Sequence, residues 1–158
     1  MNERERTARA IAYFERCEDV GLLHQLLDQA APRIKRIVAE YIRRGSEDDI
    51  PAPAEVGPAR EPAAEEEAIQ TLERVRDFSL LQALTRAIGR RIETLEIVAS
   101  ASLPEGTRVE VPREPRFPAQ GPFLPGTVQQ TGTSLVVLLD NGEIWRGPAS
   151  LARPKPNA

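Results

Sequence analysis

The side chains that could support catalysis or metal binding are few. His24 is the only histidine and Cys17 the only cysteine among 158 residues. A zinc site draws on several His or Cys ligands, and a serine-type triad needs a histidine base held by a further group. The glycines are scattered singly through predicted turns and do not form a phosphate-binding loop. We therefore predict a protein that is not an enzyme and that uses no cofactor and no metal.

Two acid-base pairs recur at a fixed spacing. Glu15-Arg16 is followed by Asp19, and the same pattern returns 58 positions later as Glu73-Arg74 followed by Asp77. The recurrence extends without a gap over residues 10–39 and 68–97, where apolar positions coincide; matched pairs include Ala10/Ala68, Leu22/Leu80, Leu26/Leu84, Arg33/Arg91 and Ile34/Ile92. A repeat of this kind sets the architecture before any single element is assigned. We interpret the charged pairs as a structural network shared by two copies of one unit, in preference to a duplicated charged site.

The repeated segments have helical periodicity. A first helix is predicted over 3–17, and Asp19 is a candidate N-cap for a second helix, as Asp77 is in the later copy. Pro32 leaves two alternatives open, one kinked helix over 20–44 or two helices that meet near Ala31. The predicted domains are helical repeat 1 over 3–45, an acidic proline-rich linker over 46–64, and helical repeat 2 over 65–100.

Basic residues are concentrated on the later helix of each repeat. The candidate nucleic-acid-binding residues are Arg33, Arg36, Arg43, Arg44, Arg90 and Arg91. A basic helix face can bind phosphates. The other interpretation is an ordinary solvated face, because acidic residues such as Glu40 and Glu93 are interleaved. The formal net charge of −3 argues against nucleic-acid binding by bulk electrostatics.

From Thr107 onward, apolar residues recur at about every second position, whereas in the preceding helices they recur at every third or fourth. Strands are predicted over 107–111, 126–131, 133–140, 143–147 and 150–152, with a hairpin turn at Asn141-Gly142. The residues GTRVEV, PGTV, LVVLLDNGE, IW and SLARP resemble the small SH3-like barrels of the Tudor and KOW kind. This resemblance implies a barrel over 104–154 that acts as a partner-binding module, for peptides or for nucleic acid.

Trp145 is the only tryptophan, and by alternation it faces opposite to Ile144. If Ile144 lies in the core, Trp145 lies outside, where the loop with Phe117 and Phe123 could cover it. Trp145 would then belong either to a packed satellite cluster or to a binding groove lined by Trp145 and Phe117 or Phe123. The candidate partner-binding residues are Trp145, Phe117, Phe123 and Arg146. The aromatic residues are too few for a cage around a cation.

The strand predicted at 133–140 is apolar on both faces, so its second face needs a cover. We expect the 112–124 loop and the end of the second-repeat helix to supply that cover.

These observations predict an α+β protein, with a duplicated helical-hairpin repeat followed by a small SH3-like β-barrel. The predicted function is a non-enzymatic adaptor or assembly factor. It would bind a protein partner through the barrel and pack or form homo-oligomers through the helices. The alternative is a nucleic-acid-binding protein that uses the basic helix faces. The lone cysteine, the absence of an apolar run of about 20 residues and the charged N-terminus predict a cytoplasmic protein with no membrane partner.

Overall fold

The computed structural model describes residues 1–114, 121–132 and 134–155. Four helices precede an antiparallel sheet, so the fold class is α+β. The helices are α1 (Glu3–Arg16), α2 (Val20–Arg43), α3 (Glu65–Arg74) and α4 (Phe78–Ala101), and a short 3-10 turn, the acidic turn, spans Glu47–Asp49. The strands are β1 (Arg108–Pro112), β2 (Phe123–Gln130), β3 (Leu135–Leu139), β4 (Ile144–Gly147) and β5 (Arg153–Pro154).

The chain divides into two compact units, Met1–Ile92 and Glu93–Ala158, and the division falls inside α4. Within the described residues, no helix has the length and apolar content needed to cross a membrane.

Side-chain caps fix where the helices begin. The Asp19 carboxylate accepts a hydrogen bond from the backbone N–H of Leu22 at 3.0 Å, and Asp77 accepts one from Leu80 at 3.1 Å. Each carboxylate satisfies an N–H group that the first turn of a helix leaves without an intrahelical partner. Both predicted N-caps are therefore confirmed.

Helix α2 runs through Pro32 as one continuous helix of 24 residues. The alternative of two helices meeting near Ala31 is therefore wrong. Proline removes one intrahelical hydrogen bond. Burial of Leu23, Leu26 and Ala30 in the preceding turns stabilises the helix against that loss. Helix α4 also has 24 residues, and its first and last residues lie 58 positions after those of α2.

The first unit has its core where the helices meet. The backbones of α1 and α3 lie closest to each other, and small buried residues, Ala10 on α1 and Ala68 on α3, are found on both. Larger apolar side chains complete the core, among them Phe14, Leu23, Leu72, Leu81, Leu84 and Ile88.

The second unit is built on a five-stranded antiparallel sheet with the order β4-β3-β2-β1-β5. The inner face of this sheet carries Val109, Val128, Val137 and Trp145, and the backbone after α4 adds Leu103 to the same core. One part of the prediction is wrong. Residues 149–151 form a 3-10 turn, in which Leu151 N–H donates to Pro148 O, and β5 begins only at Arg153.

The β3–β4 hairpin is confirmed, with a three-residue loop. Gly142 has φ of 91°, and its N–H donates to Leu139 O at 2.9 Å. Leu139 N–H donates in turn to Glu143 O at 2.8 Å. A type I turn followed by glycine in the left-handed region has this pattern. It sets the register that pairs Leu138 with Ile144 and Val137 with Trp145.

Candidate protein-binding surface

Trp145 lies inside the second unit. Its side chain is 6% exposed, and its Nε1–H donates a hydrogen bond to Pro112 O at 2.9 Å. The ring also lies close to Gly147, where an added Cβ would stand 2.7 Å from two ring carbons. Trp145 therefore belongs to the core of the second unit, and the arrangement with Ile144 in the core and Trp145 outside is wrong.

The outer face of the sheet exposes two apolar side chains next to each other. Leu138 on β3 is 41% exposed and Ile144 on β4 is 62% exposed, and the two residues are direct cross-strand partners. Val136, half-buried, lies two residues from Leu138 on the same face and pairs with Arg146. We call Val136, Leu138 and Ile144 the outer apolar patch. The end of α4 does not cover it as expected, because Ala99 packs against the inner core instead. The expected cover by the 112–124 loop falls in part on residues 115–120, which lie outside the described residues.

A charged pair borders the patch. Arg108, Thr127, Leu138 and Ile144 are successive cross-strand partners on four strands. The Arg108 guanidinium donates to both carboxylate oxygens of Asp140 at 2.7 Å and to Thr127 Oγ1 at 3.0 Å. This hydrogen bonding lowers the pKa of the Asp140 carboxyl and raises the pKa of Arg108. The patch therefore has an apolar centre with an ionic border on the β1 side.

The other border of the patch is the edge of the sheet. β4 is the terminal strand of the order, with a strand neighbour on one side among the described residues. In an antiparallel ladder, hydrogen-bonded and non-hydrogen-bonded pairs alternate. The bond between Leu139 and Glu143 makes Val137 and Trp145 the next hydrogen-bonded pair. The backbone N–H and C=O groups of Ile144 and Arg146 therefore point away from β3, toward the open edge.

The remaining candidate partner-binding residues are dispersed. Phe123 is half-buried at the start of β2, and the Arg153 guanidinium carbon lies 3.3 Å from its ring centroid. Phe117 lies outside the described residues. Arg146 is exposed on β4. Among the candidates that the structure describes, Arg146 is the one that adjoins the outer apolar patch, as the cross-strand partner of Val136. The sequence analysis did not select Ile144 as a binding residue. A three-residue hairpin loop at Asp140–Gly142 would have predicted its pairing with Leu138.

Two of the candidate nucleic-acid-binding arginines bind backbone carbonyl groups. Arg33 donates to Leu72 O at 2.8 Å and also to Val75 O, at the C-terminal end of α3. Arg91 donates to Cys17 O at 2.7 Å, at the C-terminal end of α1. Both guanidinium groups satisfy carbonyls that a helix end leaves without partners. The guanidinium N–H groups of Arg33 and Arg91 thus donate to carbonyl groups of the chain itself.

The other arginines lie on helix surfaces. Arg43 and Arg44 both pair with Glu40 one turn away on α2, and the hydrogen bond from Arg43 lowers the pKa of that carboxyl. Arg36 is exposed on the same part of α2, and Arg90 is exposed on α4. The structure therefore groups Arg36, Arg43 and Arg44 on one half of α2.

Comparison of the chain with protein-family models, with curated proteins and with solved structures finds no match. Among the described residues, no group of three or more His, Cys, Asp or Glu side chains is placed to hold a metal ion.

Proposed function

We propose that this protein is a non-enzymatic adaptor or assembly factor whose C-terminal sheet binds an extended segment of a protein partner. The observation that carries the proposal is the outer apolar patch beside the open edge of β4. Apolar side chains exposed in a contiguous group are typical of interaction sites. An open strand edge offers backbone donors and acceptors to an added strand.

The proposal includes an SH3-like barrel as the fold of the sheet. The strand order supports it, since β1 pairs with both β2 and the short β5, and a 3-10 turn at Ala149–Leu151 precedes β5. Barrels of this class serve many functions, so the proposed activity is argued from the patch and not from the fold.

We also propose that the two helical halves are copies of one unit. Helices α2 and α4 have equal length at a spacing of 58 residues, and Arg33 and Arg91, which are 58 apart, each bind the C-terminal end of the other half's first helix. The two acceptor residues, Cys17 and Val75, are also 58 apart. An experimental structure in which residues 10–39 and 68–97 do not superpose would contradict this.

The geometry of β4 predicts the chemistry of the bound segment. A strand added at this edge would hydrogen-bond to the backbones of Ile144 and Arg146. Side chains on one face of a strand are two residues apart. A residue beside Ile144 would contact Ile144 and Leu138, and the residue two positions away would lie beside Arg146. The preferred segment therefore has an apolar residue and an acidic residue separated by one position.

The test uses peptides selected for binding to the full chain from a random library. We expect them to carry this apolar-x-acidic pattern, and Ile144→Glu should weaken their binding at least about tenfold, the loss of an interface anchor. Val98→Glu is the matched control, because Val98 is 64% exposed on α4 in the same unit. NMR shifts on binding should be largest at the amides of Ile144 and Arg146. Equal binding by the Ile144 and Val98 variants would refute the assignment of the surface.

A further inference from the structure

A cavity of about 280 Å³ lies in the first unit, where the start of α1 meets α3. The two helices pack antiparallel here, because Glu3 contacts the backbone just after α3 and Arg9 is paired with Glu67 in the first turn of α3. Four charged side chains line the cavity, Glu3 and Arg6 from α1 and Glu67 and Arg74 from α3. Pockets for drug-sized ligands begin at about 300 Å³, so this cavity suits a small ligand.

The two acidic side chains of the cavity already have partners. The Glu3 carboxylate accepts a hydrogen bond from the backbone N–H of Asp77 at 3.0 Å and one from that of Arg76 at 3.4 Å. The Glu67 carboxylate is in an ion pair with the Arg9 guanidinium at 3.2 Å. Donors of the chain itself therefore compensate both negative charges.

The two basic side chains have no such partner within the described part of the chain. Neither the Arg6 nor the Arg74 guanidinium is in an ion pair or a hydrogen bond with a described residue. A basic residue in the last turn of a helix can donate to the final carbonyl groups. At the end of α3, Arg33 takes that role by donating to Leu72 O and Val75 O. Two uncompensated guanidinium groups thus border one cavity.

The first turn of α1 supplies one of these two groups. Helix α3 begins at Glu65, 58 residues after Thr7, whereas α1 begins earlier, at Glu3. The additional turn carries Arg6, and the position 58 residues after Arg6 is occupied by Ala64. The recurrence of the two halves therefore does not account for the basic side chain on this wall of the cavity.

We propose that this cavity binds a small ligand through a dianionic phosphate group. Each guanidinium presents a planar fork of donors that matches two phosphate oxygens. A phosphate ester carries a charge of about −1.5 to −2 at pH 7, which two arginines compensate, whereas a single carboxylate would leave one of them uncompensated. The proposal uses no residue of the sheet, so its outcome is independent of the proposed function.

The experiment is an NMR titration of the full chain with inorganic phosphate, with chloride adjusted to keep the ionic strength constant. Both arginines are exposed, so we expect saturable shifts at Arg6 and Arg74 with a dissociation constant of about 1 mM. Arg6→Gln and Arg74→Gln should each raise that constant about tenfold, through loss of a charged donor. Arg16→Gln is the matched control, because Arg16 is exposed at the end of α1, 58 residues before Arg74, and it should leave the constant unchanged.

Three further probes test the class of ligand. Methyl phosphate keeps the dianionic group and should bind at least as tightly as inorganic phosphate, whereas acetate should bind about tenfold more weakly or worse. Shifts that do not saturate, or equal weakening by the Arg6 and Arg16 variants, would indicate nonspecific association of anions and overturn the proposal. So would acetate that binds as tightly as phosphate. A phosphoserine peptide that binds more than about tenfold tighter than methyl phosphate would overturn the assignment to a small ligand, since the surface would then recognise a protein.

Discussion

At the scale of single residues, the neighbours Ile144 and Trp145 have opposite roles. Trp145 joins the core and gives its indole N–H to Pro112 O, whereas Ile144 lies on the outer face. A buried tryptophan contributes a large apolar area and needs a partner for its N–H. Ile144 leaves most of its surface in contact with solvent. The candidate docking side chain is therefore the isoleucine, and the tryptophan supports the strand that presents it.

This division of roles predicts a large difference in stability. Trp145→Ala should lower the free energy of unfolding by roughly 3–5 kcal/mol, through lost burial and a residual cavity. Ile144→Ala should change it by about 0.5 kcal/mol or less. Urea unfolding followed by circular dichroism measures both values. If Trp145→Ala were as stable as the wild type, the assignment of Trp145 to the core would fail.

The Arg108–Asp140 pair predicts a pH dependence. Hydrogen bonding from Arg108 lowers the pKa of Asp140 in the folded chain. The unfolded state therefore takes up the proton first as the pH falls. The contribution of the pair is complete above the ordinary aspartate pKa of about 3.9 and is lost as the pH falls through the lowered folded value.

We expect Asp140→Asn to lower the thermal midpoint slightly at pH 7, and the difference from wild type should shrink as the pH falls below the ordinary aspartate pKa of about 3.9. Both groups are partly exposed, so the effect should be small and reduced by salt. Asp28→Asn, at an exposed position on α2, serves as the control. A difference that stays constant over this pH range would show that the ion pair does not stabilise the fold.

At the scale of elements, the two long helices are each connected to a shorter helix of the other half. Arg33 of α2 binds the C-terminal carbonyl groups of α3, and Arg91 of α4 binds the carbonyl of Cys17 after α1. Such contacts join segments that are far apart in sequence. These contacts give Arg33 and Arg91 a structural role, so the recurrence of arginine at this spacing does not require a ligand.

Replacing either arginine by methionine should therefore destabilise the first unit. Methionine keeps the apolar stem, but the helix-end carbonyls lose a charged donor, which costs about 1–3 kcal/mol. Arg36→Met, at an exposed position three residues from Arg33, should stay within about 0.5 kcal/mol of wild type. Chemical denaturation monitored by far-UV circular dichroism compares the three variants. Equal stability of the Arg33 and Arg36 variants would indicate that the carbonyl contacts contribute nothing.

At the scale of the whole molecule, the distribution of charge leads us to expect that the basic helix faces do not bind nucleic acid. The chain has a formal net charge of −3. Four of the six candidate arginines, Arg33, Arg43, Arg44 and Arg91, bind carbonyl or carboxylate oxygens of the chain itself. Few uncompensated cations remain on those helix faces to displace counterions from a phosphate backbone.

We expect no saturable binding of mixed-sequence duplex or single-stranded DNA below about 10 µM at physiological salt, the strength at which nonspecific binders already associate. Fluorescence anisotropy with labelled oligonucleotides measures this directly. Tight binding with a steep salt dependence, abolished by R36E/R44E, would favour the nucleic-acid alternative.

The sequence by itself determined the α+β class, the two helix caps and the β3–β4 hairpin. These features depend on local chemistry: an aspartate that satisfies the N–H groups of a first helical turn, and a glycine that adopts a positive φ after Asn141. The internal spacing of 58 residues was also visible, because the apolar positions of the two segments coincide.

Only the tertiary structure decided which face of each element is covered. Alternation shows that Ile144 and Trp145 point in opposite directions, but the register with Val137 decides which of them is inside. Periodicity places Arg33 and Arg36 on one basic helix, but only the approach of α3 directs Arg33 to carbonyl groups and leaves Arg36 exposed. Burial depends on residues distant in sequence, and a local pattern contains no information about their positions.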